Sequence, residues 1–351
     1  MKSKTWKLLA LVSITLLLLA ALGACGPATP EVAQKQEAEH EHEAEHEHKV
    51  AELEAVSLGA GEKLRVVATT NIVGDVVRNV GGDRIDLTVL MGIGVDPHTY
   101  VPTPADTVAI HDAHVVFANG AGLEANLEEM LENAGGEVVL IHVSHGLDFR
   151  PPPAGHEHEG EHTEHDEAEG EHGHDHGDVD PHVWFSVPNV IHWVKNIEQA
   201  LSALDPANAQ VYEENAHAYI HELEELDAWI QEQITQIPEA NRKLVTNHPA
   251  FGYFVDRYGL EQVGAIYPVS PSAEPSAQDI AALEDAIREH GVPAVFAEST
   301  VNPSLAEQVA RDTGVKLVPL YTGSLSGPGG GAETYILLMR YDVNAIVEAL
   351  K

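Results

Sequence analysis

The sequence has little of two things, cysteine and positive charge. Cys25 is the one cysteine among 351 residues, so no disulfide can form within the chain and a hydrophobic core has to hold its folded part together. There are 19 lysines and arginines against 56 aspartates and glutamates, and the formal net charge at pH 7 is −37. Such a charge attracts cations and repels phosphate groups, which argues against nucleic acid as a partner.

Long hydrophobic runs are also missing, except for one at the start of the chain. Residues 8–22 are almost entirely apolar and follow three lysines, but this run is shorter than the roughly 20 residues that cross a bilayer. It therefore predicts a signal peptide over residues 1–24. The run ends in Leu-Gly-Ala-Cys, which resembles the lipobox of bacterial lipoproteins, so Cys25 is the predicted lipidation site. The alternative is an ordinary signal peptide that leaves Cys25 as a free thiol.

Histidine, by contrast, is abundant, with 22 residues, and half of them lie in two tracts rich in glutamate. The tracts fall in residues 25–62 and 155–178, and neither has enough large apolar side chains to offset the entropy lost on ordering. We therefore predict a disordered tether and a disordered loop. The loop is expected to capture metal weakly near a tighter site, and a solvated spacer is the alternative for both tracts. The histidines of the loop are His156, His158, His162, His165, His172, His174 and His176.

The rest of the chain alternates short β-branched runs with amphipathic helical patterns. Such alternation predicts an α/β fold with parallel sheets flanked by helices, here in two lobes over residues 63–205 and 238–351. The predicted strands are residues 64–69, 85–90, 114–118, 137–141, 243–246, 262–267, 294–297 and 316–320. Helical patterns cover residues 72–80, 123–133, 188–204 and 276–290.

One long helix is predicted to join the two lobes rigidly. Asp205 and Pro206 form an N-cap followed by proline, and apolar residues then recur at steps of three and four. The pattern continues over residues 206–237, which at 1.5 Å per residue makes a helix about 45–50 Å long.

Three histidines stand next to proline at positions suited to ligand binding. His98 and His182 each close an Asp-Pro-His motif, His248 precedes a proline, and Glu298 ends a predicted strand. Ligands of open α/β sheets bind beyond the carboxyl ends of strands, and imidazole is the commonest metal ligand. A structural hydrogen bond explains any one of these histidines equally well. The repeated motif, with a third histidine in the other lobe, favours a metal site.

These motifs resemble the metal-binding lipoproteins of bacterial ABC importers, the zinc and manganese group of solute-binding proteins. The resemblance covers nearly all of the chain after the tether. It implies that His98, His182 and His248 hold the ion. It also implies a monomeric, extracytoplasmic protein, anchored to the membrane through lipid on Cys25, that passes its ion to an ABC permease and its ATPase. The matching segments are residues 96–100, 180–184, 247–254, 274–276 and 335–341.

The same resemblance favours Zn2+ over Mn2+ as the transported ion. Manganese-selective members usually have glutamate at the position of His248, and a histidine-rich loop before the second ligand is typical of zinc members. Many members have an aspartate ligand where Gly323 stands here. A tetrahedral zinc would then take Glu298, a loop histidine or water as its fourth donor, and a structural role for Glu298 is an equal alternative.

Other functions also fit part of the pattern. A manganese- or iron-binding member of the same group would differ only in its ion, and a surface adhesin or metal buffer would lack the transporter. A zinc hydrolase also uses three protein ligands, but no general base or nucleophile accompanies these histidines. We therefore expect no enzymatic activity.

Overall fold

A computed structural model describes residues 53–125, 127, 130–131, 138–152, 179–267 and 275–351. The predicted signal peptide, Cys25, most of the tether and all seven loop histidines lie outside the described residues, as does part of the helix predicted over residues 123–133. Within the described part of the chain, no helix is both long enough and apolar enough to cross a membrane.

The first half of the described chain contains β1 (Leu64–Ala68), α1 (Asn71–Gly81), β2 (Ile85–Val89), α2 (Pro104–Asp112), β3 (Val115–Ala118) and β4 (Val139–His142). Its four strands form a parallel sheet in the order β2-β1-β3-β4. Every residue of β3 is buried, which fits the continuous hydrophobic runs of parallel sheets covered on both faces. Helix α1 begins after Thr70, whose side chain accepts a hydrogen bond from the Val73 backbone N–H.

Two helices follow, α3 (Val187–Leu204) and α4 (Ala209–Ile234). They pack against each other, and α4 also packs against α1. The carboxylate of Asp205 accepts hydrogen bonds from Asn208 at 2.7 Å and from the Tyr212 hydroxyl at 2.8 Å, and these bonds hold the turn between the helices. The prediction of a helix from residue 206 is therefore wrong at its start. With 26 residues, α4 is about 39 Å long rather than 45–50 Å.

The second half contains β5 (Lys243–Thr246), α5 (Gly252–Tyr258), β6 (Glu261–Ala265), α6 (Ala277–His290), β7 (Ala294–Glu298), α7 (Ser304–Thr313) and β8 (Lys316–Leu320). Its sheet repeats the arrangement of the first, with four parallel strands in the order β6-β5-β7-β8. Helix α6 begins with the capping box that Ser276 and Asp279 predict. The bounds of all eight strands lie within two residues of the predicted ones.

The last helix, α8 (Tyr335–Leu350), returns to the first half of the chain. The backbone N–H of Tyr335 donates to Asp75 at 2.9 Å, and its hydroxyl donates to the Trp184 carbonyl at 2.7 Å. One hydrophobic cluster accordingly contains residues from Leu64 to Leu350. The predicted α/β fold with two parallel sheets is confirmed, and its two halves share a core. The exact division into lobes stays a prediction.

Candidate metal centre

Three histidine side chains meet in the described part of the chain, and they are the three predicted ligands. Nε2 of His182 lies 3.0 Å from Nε2 of His98 and 3.0 Å from Nε2 of His248. The ligand atoms that the three residues offer all lie within 4.8 Å of one another. Converging imidazole nitrogens of this kind form a donor set that suits zinc, copper, iron and nickel.

The loop after β2 carries His98. The carboxylate of Asp96 accepts the His98 backbone N–H at 3.0 Å and the Thr99 hydroxyl at 3.2 Å, so the aspartate closes a local turn around the histidine. His98 is half-buried, whereas the other two histidines are buried. The first Asp-Pro-His motif therefore shapes the backbone that presents this ring.

The second Asp-Pro-His motif supports both the backbone and the ring of His182. Asp180 accepts the backbone N–H of His182 at 3.1 Å, and the same carboxylate oxygen lies 2.7 Å from Nδ1 of the ring. Because the Nδ1 hydrogen faces Asp180, Nε2 is turned toward the other two histidines. A carboxylate behind a ligating histidine fixes the orientation of the ring and raises its basicity.

His248 leaves the end of β5 and has the same kind of partner, but from another strand. Glu298, the last residue of β7, accepts the His248 backbone N–H at 2.8 Å and lies 2.7 Å from Nδ1 of its ring. The Thr322 hydroxyl donates to the second oxygen of Glu298 at 2.8 Å. The structure thus places the carboxylate behind His248 rather than beside the three Nε2 atoms. This geometry favours an orienting role for Glu298 over that of a fourth ligand.

The buried pair of His248 and Glu298 shifts both ionisations. Burial by itself lowers the pKa of His248, but the adjacent Glu298 carboxylate outweighs it and the pKa is raised. Burial likewise acts to raise the pKa of Glu298, yet the His248 imidazole holds that pKa below its ordinary value. The pair therefore favours a charged imidazolium beside a charged carboxylate when no metal is bound.

Metal binding must also change the spacing of the three rings. Two Nε2 atoms 3.0 Å apart require that one of them donates a hydrogen to the other, and an ion has to displace that hydrogen. A tetrahedral ion about 2.05 Å from each nitrogen would hold the nitrogens about 3.3 Å apart. The two ring pairs that share His182 would therefore separate by a few tenths of an ångström when such an ion binds.

Gly323, which stands where the family resemblance implies an aspartate in many members, lies beside the loop that carries His98. A Cβ built at Gly323 would stand 2.8 Å from Cδ of Pro97, so a side chain at this position would point toward that loop. Among the described residues, no fourth histidine, cysteine, aspartate or glutamate joins the group of three. The chain itself therefore supplies three donors within its described part.

Four residues that support the site had no role assigned from the sequence. Asp96 and Asp180 had a usable signal, which was their place in a repeated motif. Thr322 follows β8, and its only signal was its place beyond the carboxyl end of a parallel strand. Arg150, which lies 3.7 Å from Asp180, carried no recognisable motif.

The chain is similar to known proteins over most of its length. The family model described as zinc-uptake complex component A, periplasmic, matches residues 66–349. The manganese-binding lipoprotein MntA of Halalkalibacterium halodurans is 37% identical over 291 residues, which are 83% of this chain and 89% of that protein. The manganese ABC transporter substrate-binding lipoprotein PsaA of Streptococcus pneumoniae is 32% identical over 298 residues, which are 83% of this chain and 90% of that protein.

A solved structure agrees with these matches. The periplasmic zinc-binding protein TroA from Treponema pallidum superimposes with a TM-score of 0.70 at 29% identity, over 82% of this chain and 99% of that one. The family consists of solute-binding proteins rather than enzymes, which agrees with the expectation from the sequence. The chain belongs to the ZnuA family, the extracytoplasmic metal-binding proteins of ABC importers.

Proposed function

We propose that this protein captures a divalent transition-metal ion with His98, His182 and His248 and delivers it to an ABC permease and its ATPase. The observation that carries the proposal is the meeting of three Nε2 atoms from three separate segments, 3.0 Å apart in two pairs. Two of these rings are backed by buried carboxylates at 2.7 Å, an arrangement that orients ligating histidines. Membership of the family supports delivery to an importer.

For the ion itself, we propose zinc on the chemistry of the donors. Neutral imidazoles suit zinc, whereas manganese favours carboxylate and carbonyl oxygens. The two nearest carboxylates, Asp180 and Glu298, lie against the Nδ1 atoms rather than the Nε2 atoms. At a nitrogen site, zinc also binds more tightly than manganese or iron in the usual order of divalent metals.

Manganese is the second candidate, and the names of the relatives support it better than they support zinc. MntA and PsaA are both named for manganese, at 37% and 32% identity. The zinc proposal therefore rests on the three-histidine donor set. A competition experiment tests whether this donor set can retain manganese in the presence of zinc.

The experiment uses the full chain purified without a histidine tag and freed of metal. It is dialysed against equimolar zinc and manganese, and the bound metal is measured by elemental analysis. Retention of zinc alone at the tight site is the expected result, and retention of manganese would overturn the zinc proposal. The variant His248→Glu replaces a nitrogen donor with oxygen donors and is expected to shift the preference toward manganese.

We also propose that Cys25 is lipidated and anchors the protein to the cell membrane. The sequence around Cys25 supports this anchor, and MntA and PsaA are named lipoproteins. Expression of the wild type and of Cys25→Ser in a bacterial host, followed by membrane fractionation, tests it. Only the wild type is expected in the membrane fraction, and equal membrane association of both would contradict the anchor.

Delivery needs a separate test in cells. Metal uptake is measured in cells that express the importer with the wild-type chain or with His248→Ala. The variant is expected to abolish the uptake that depends on this protein. Undiminished uptake would support a metal buffer or adhesin instead.

A further inference from the structure

Arg150 touches both of the segments that carry the buried histidines. Its Nη1 donates to the Gly252 carbonyl at 2.9 Å and to the Asp256 carboxylate, and both residues belong to α5, which follows His248 closely. Its Nε lies 3.7 Å from Oδ2 of Asp180, the carboxylate that holds the ring of His182. One guanidinium therefore stands between the segment of His182 and the segment of His248.

The backbone around Arg150 makes the same connection. The Asp180 backbone N–H donates to the Arg150 carbonyl at 3.0 Å, and the Arg150 N–H donates to the Tyr253 hydroxyl at 3.0 Å. That hydroxyl donates in turn to the Asp180 carbonyl at 2.9 Å. We call the residues Arg150, Asp180, Gly252, Tyr253 and Asp256 the Arg150 cluster.

Gly252 allows the cluster to pack this closely. A Cβ at this position would lie 2.6 Å from Oδ2 of Asp180 and 2.8 Å from Nε of Arg150, distances that real Cβ atoms do not show. Glycine at the first residue of α5 therefore lets the helix approach Asp180 and Arg150 directly. Any side chain there would separate the carboxylate from the guanidinium or move the helix.

The charges in the cluster also need each other. The Asp180 side chain is 1% exposed, and a buried carboxylate is costly unless a positive charge or hydrogen bonds compensate it. Nε of Arg150 is buried without a hydrogen-bond partner, so its contact with Asp180 at 3.7 Å is electrostatic. The hydrogen bonds of the Arg150 guanidinium go to α5 instead. Arg150 thus compensates Asp180 while holding α5 in place.

We propose that Arg150 is a positioning residue of the metal site. Acting through Asp180, it fixes the ring of His182, and by binding α5 it fixes the segment of His248 relative to that ring. It thereby sets how tightly the protein holds its ion. The proposal rests on the proposed metal-binding function, and it assigns to Arg150 a role that a purely structural salt bridge would not have.

The test compares Arg150→Met, which removes the charge, with Arg150→Lys, which keeps it. Zinc affinity is measured by competition with a chelating dye, and the visible absorption of bound Co2+ reports the geometry of the ligands. Residues that support metal ligands typically change affinity by about 10–100-fold. We expect Arg150→Met to lose zinc affinity near the lower end of this range and to change the Co2+ spectrum. In Arg150→Lys, we expect both the zinc affinity and the Co2+ spectrum to return largely to those of the wild type.

Arg257, near the C-terminal end of α5, provides a matched control. Its guanidinium pairs with Asp227 at 2.5 Å, and Asp227 lies in α4 rather than in a segment with a metal ligand. Arg257→Met is expected to lower the melting temperature while leaving zinc affinity and the Co2+ spectrum unchanged. If Arg150→Met behaves in the same way as Arg257→Met, Arg150 is only structural and the proposal is wrong.

Gly252→Ala is a second, independent test of the proposal if Arg150→Met does not fold. Alanine is the better helix former by about 1 kcal/mol, so helix propensity alone predicts no loss. We expect weaker zinc binding and a changed Co2+ spectrum, because the new methyl group would separate Asp180 from Arg150. Unchanged zinc binding would count against the proposal. If the wild-type chain itself bound neither zinc nor Co2+, the proposed function would fail instead.

Discussion

Carboxylates orient the rings of His182 and His248 in the same way, but the two carboxylates come from different places in the chain. Each ring has a carboxylate oxygen 2.7 Å from Nδ1, and each carboxylate also accepts the backbone N–H of its histidine. Asp180 precedes His182 by two residues, whereas Glu298 follows His248 by fifty. One arrangement is local in the chain, and the other depends on strands β5 and β7 lying side by side in the second sheet. The same support can therefore come from a motif or from a fold.

The largest expected effect is the loss of metal binding when either the His182 ring or the His248 ring is removed. His182→Ala and His248→Ala each remove one of three donors, so each is expected to abolish most of the stabilisation that zinc provides. For a ligand that binds only the folded state, that stabilisation is about 4 kcal/mol at a thousandfold excess over Kd. Thermal unfolding with and without zinc measures it. His217→Ala, an exposed histidine on α4, serves as the control, and a variant of either ligand that kept the full zinc effect would contradict the site.

The two carboxylates offer the next comparison. Asp180→Asn and Glu298→Gln are each expected to weaken zinc binding by about 10–100-fold, because each replaces the charged carboxylate that orients a ligand with a neutral amide. This loss is smaller than that for either histidine. Zinc titration against a competing chelator measures both. A loss for Glu298→Gln as large as that for His248→Ala would show that Glu298 binds the ion directly.

The pH dependence separates the two carboxylates further. Burial lowers the pKa of His248, but Glu298 most strongly, and then Asp96 and Asp180, raise it, with a net rise. Protons therefore compete with zinc for a neutral imidazole, and zinc affinity should fall as the pH drops from about 7 to 5, by about tenfold per pH unit for each proton displaced. Glu298→Gln is expected to move this fall to lower pH, and Asp180→Asn to move it less. Affinity measured across this range checks both, and an unshifted profile in Glu298→Gln would contradict the assignment.

In the metal-free protein, the raised pKa of His248 and the lowered pKa of Glu298 also make the stability of the fold depend on pH. A raised pKa contributes stability below the unfolded value of about 6.5, and that stability is lost as the pH rises through the folded value. The lowered pKa of Glu298 contributes stability above its unfolded value of about 4.3, and that stability is lost as the pH falls. Melting temperatures of the metal-free wild type and of Glu298→Gln measure these contributions.

A smaller effect on zinc affinity is expected for Thr322, which contacts the carboxylate of Glu298. Thr322→Val keeps the shape of the side chain but removes the hydroxyl that donates to Glu298 at 2.8 Å. Hydrogen bonds to charged groups contribute about 1.5–3 kcal/mol, so stability should fall by about that amount. Zinc affinity should fall less than in Glu298→Gln. Thr313→Val, which removes a bond to a helix carbonyl far from the site, should leave affinity unchanged, and equal affinity losses in the two variants would contradict the role of Thr322.

The smallest effect on the tight site is expected from deleting residues 156–176. The Asp180 N–H bonds to the Arg150 carbonyl at 3.0 Å, so contacts outside the deleted stretch already hold the segment before His182. Deletion should remove weak zinc sites and leave the affinity of the tight one essentially unchanged. Calorimetric titration distinguishes the two classes. Loss of the tight site would mean that the segment of His182 depends on the loop.

The strand positions and the parallel α/β fold could be predicted from the sequence, and the family resemblance of its motifs implied the three histidines that meet. Strand and helix periodicities, caps and the Asp-Pro-His turns are local features, because they involve residues only a few positions apart. Sequence also suggested Glu298, but it could not choose between a ligand and a structural residue.

The folded structure alone shows how distant residues meet. It assigned Glu298 to Nδ1 of His248, brought Arg150 between Asp180 and α5, and tied Tyr335 to Asp75 across 260 positions of the chain. Contacts of this kind depend on how sheets and helices pack, which no short stretch of sequence specifies.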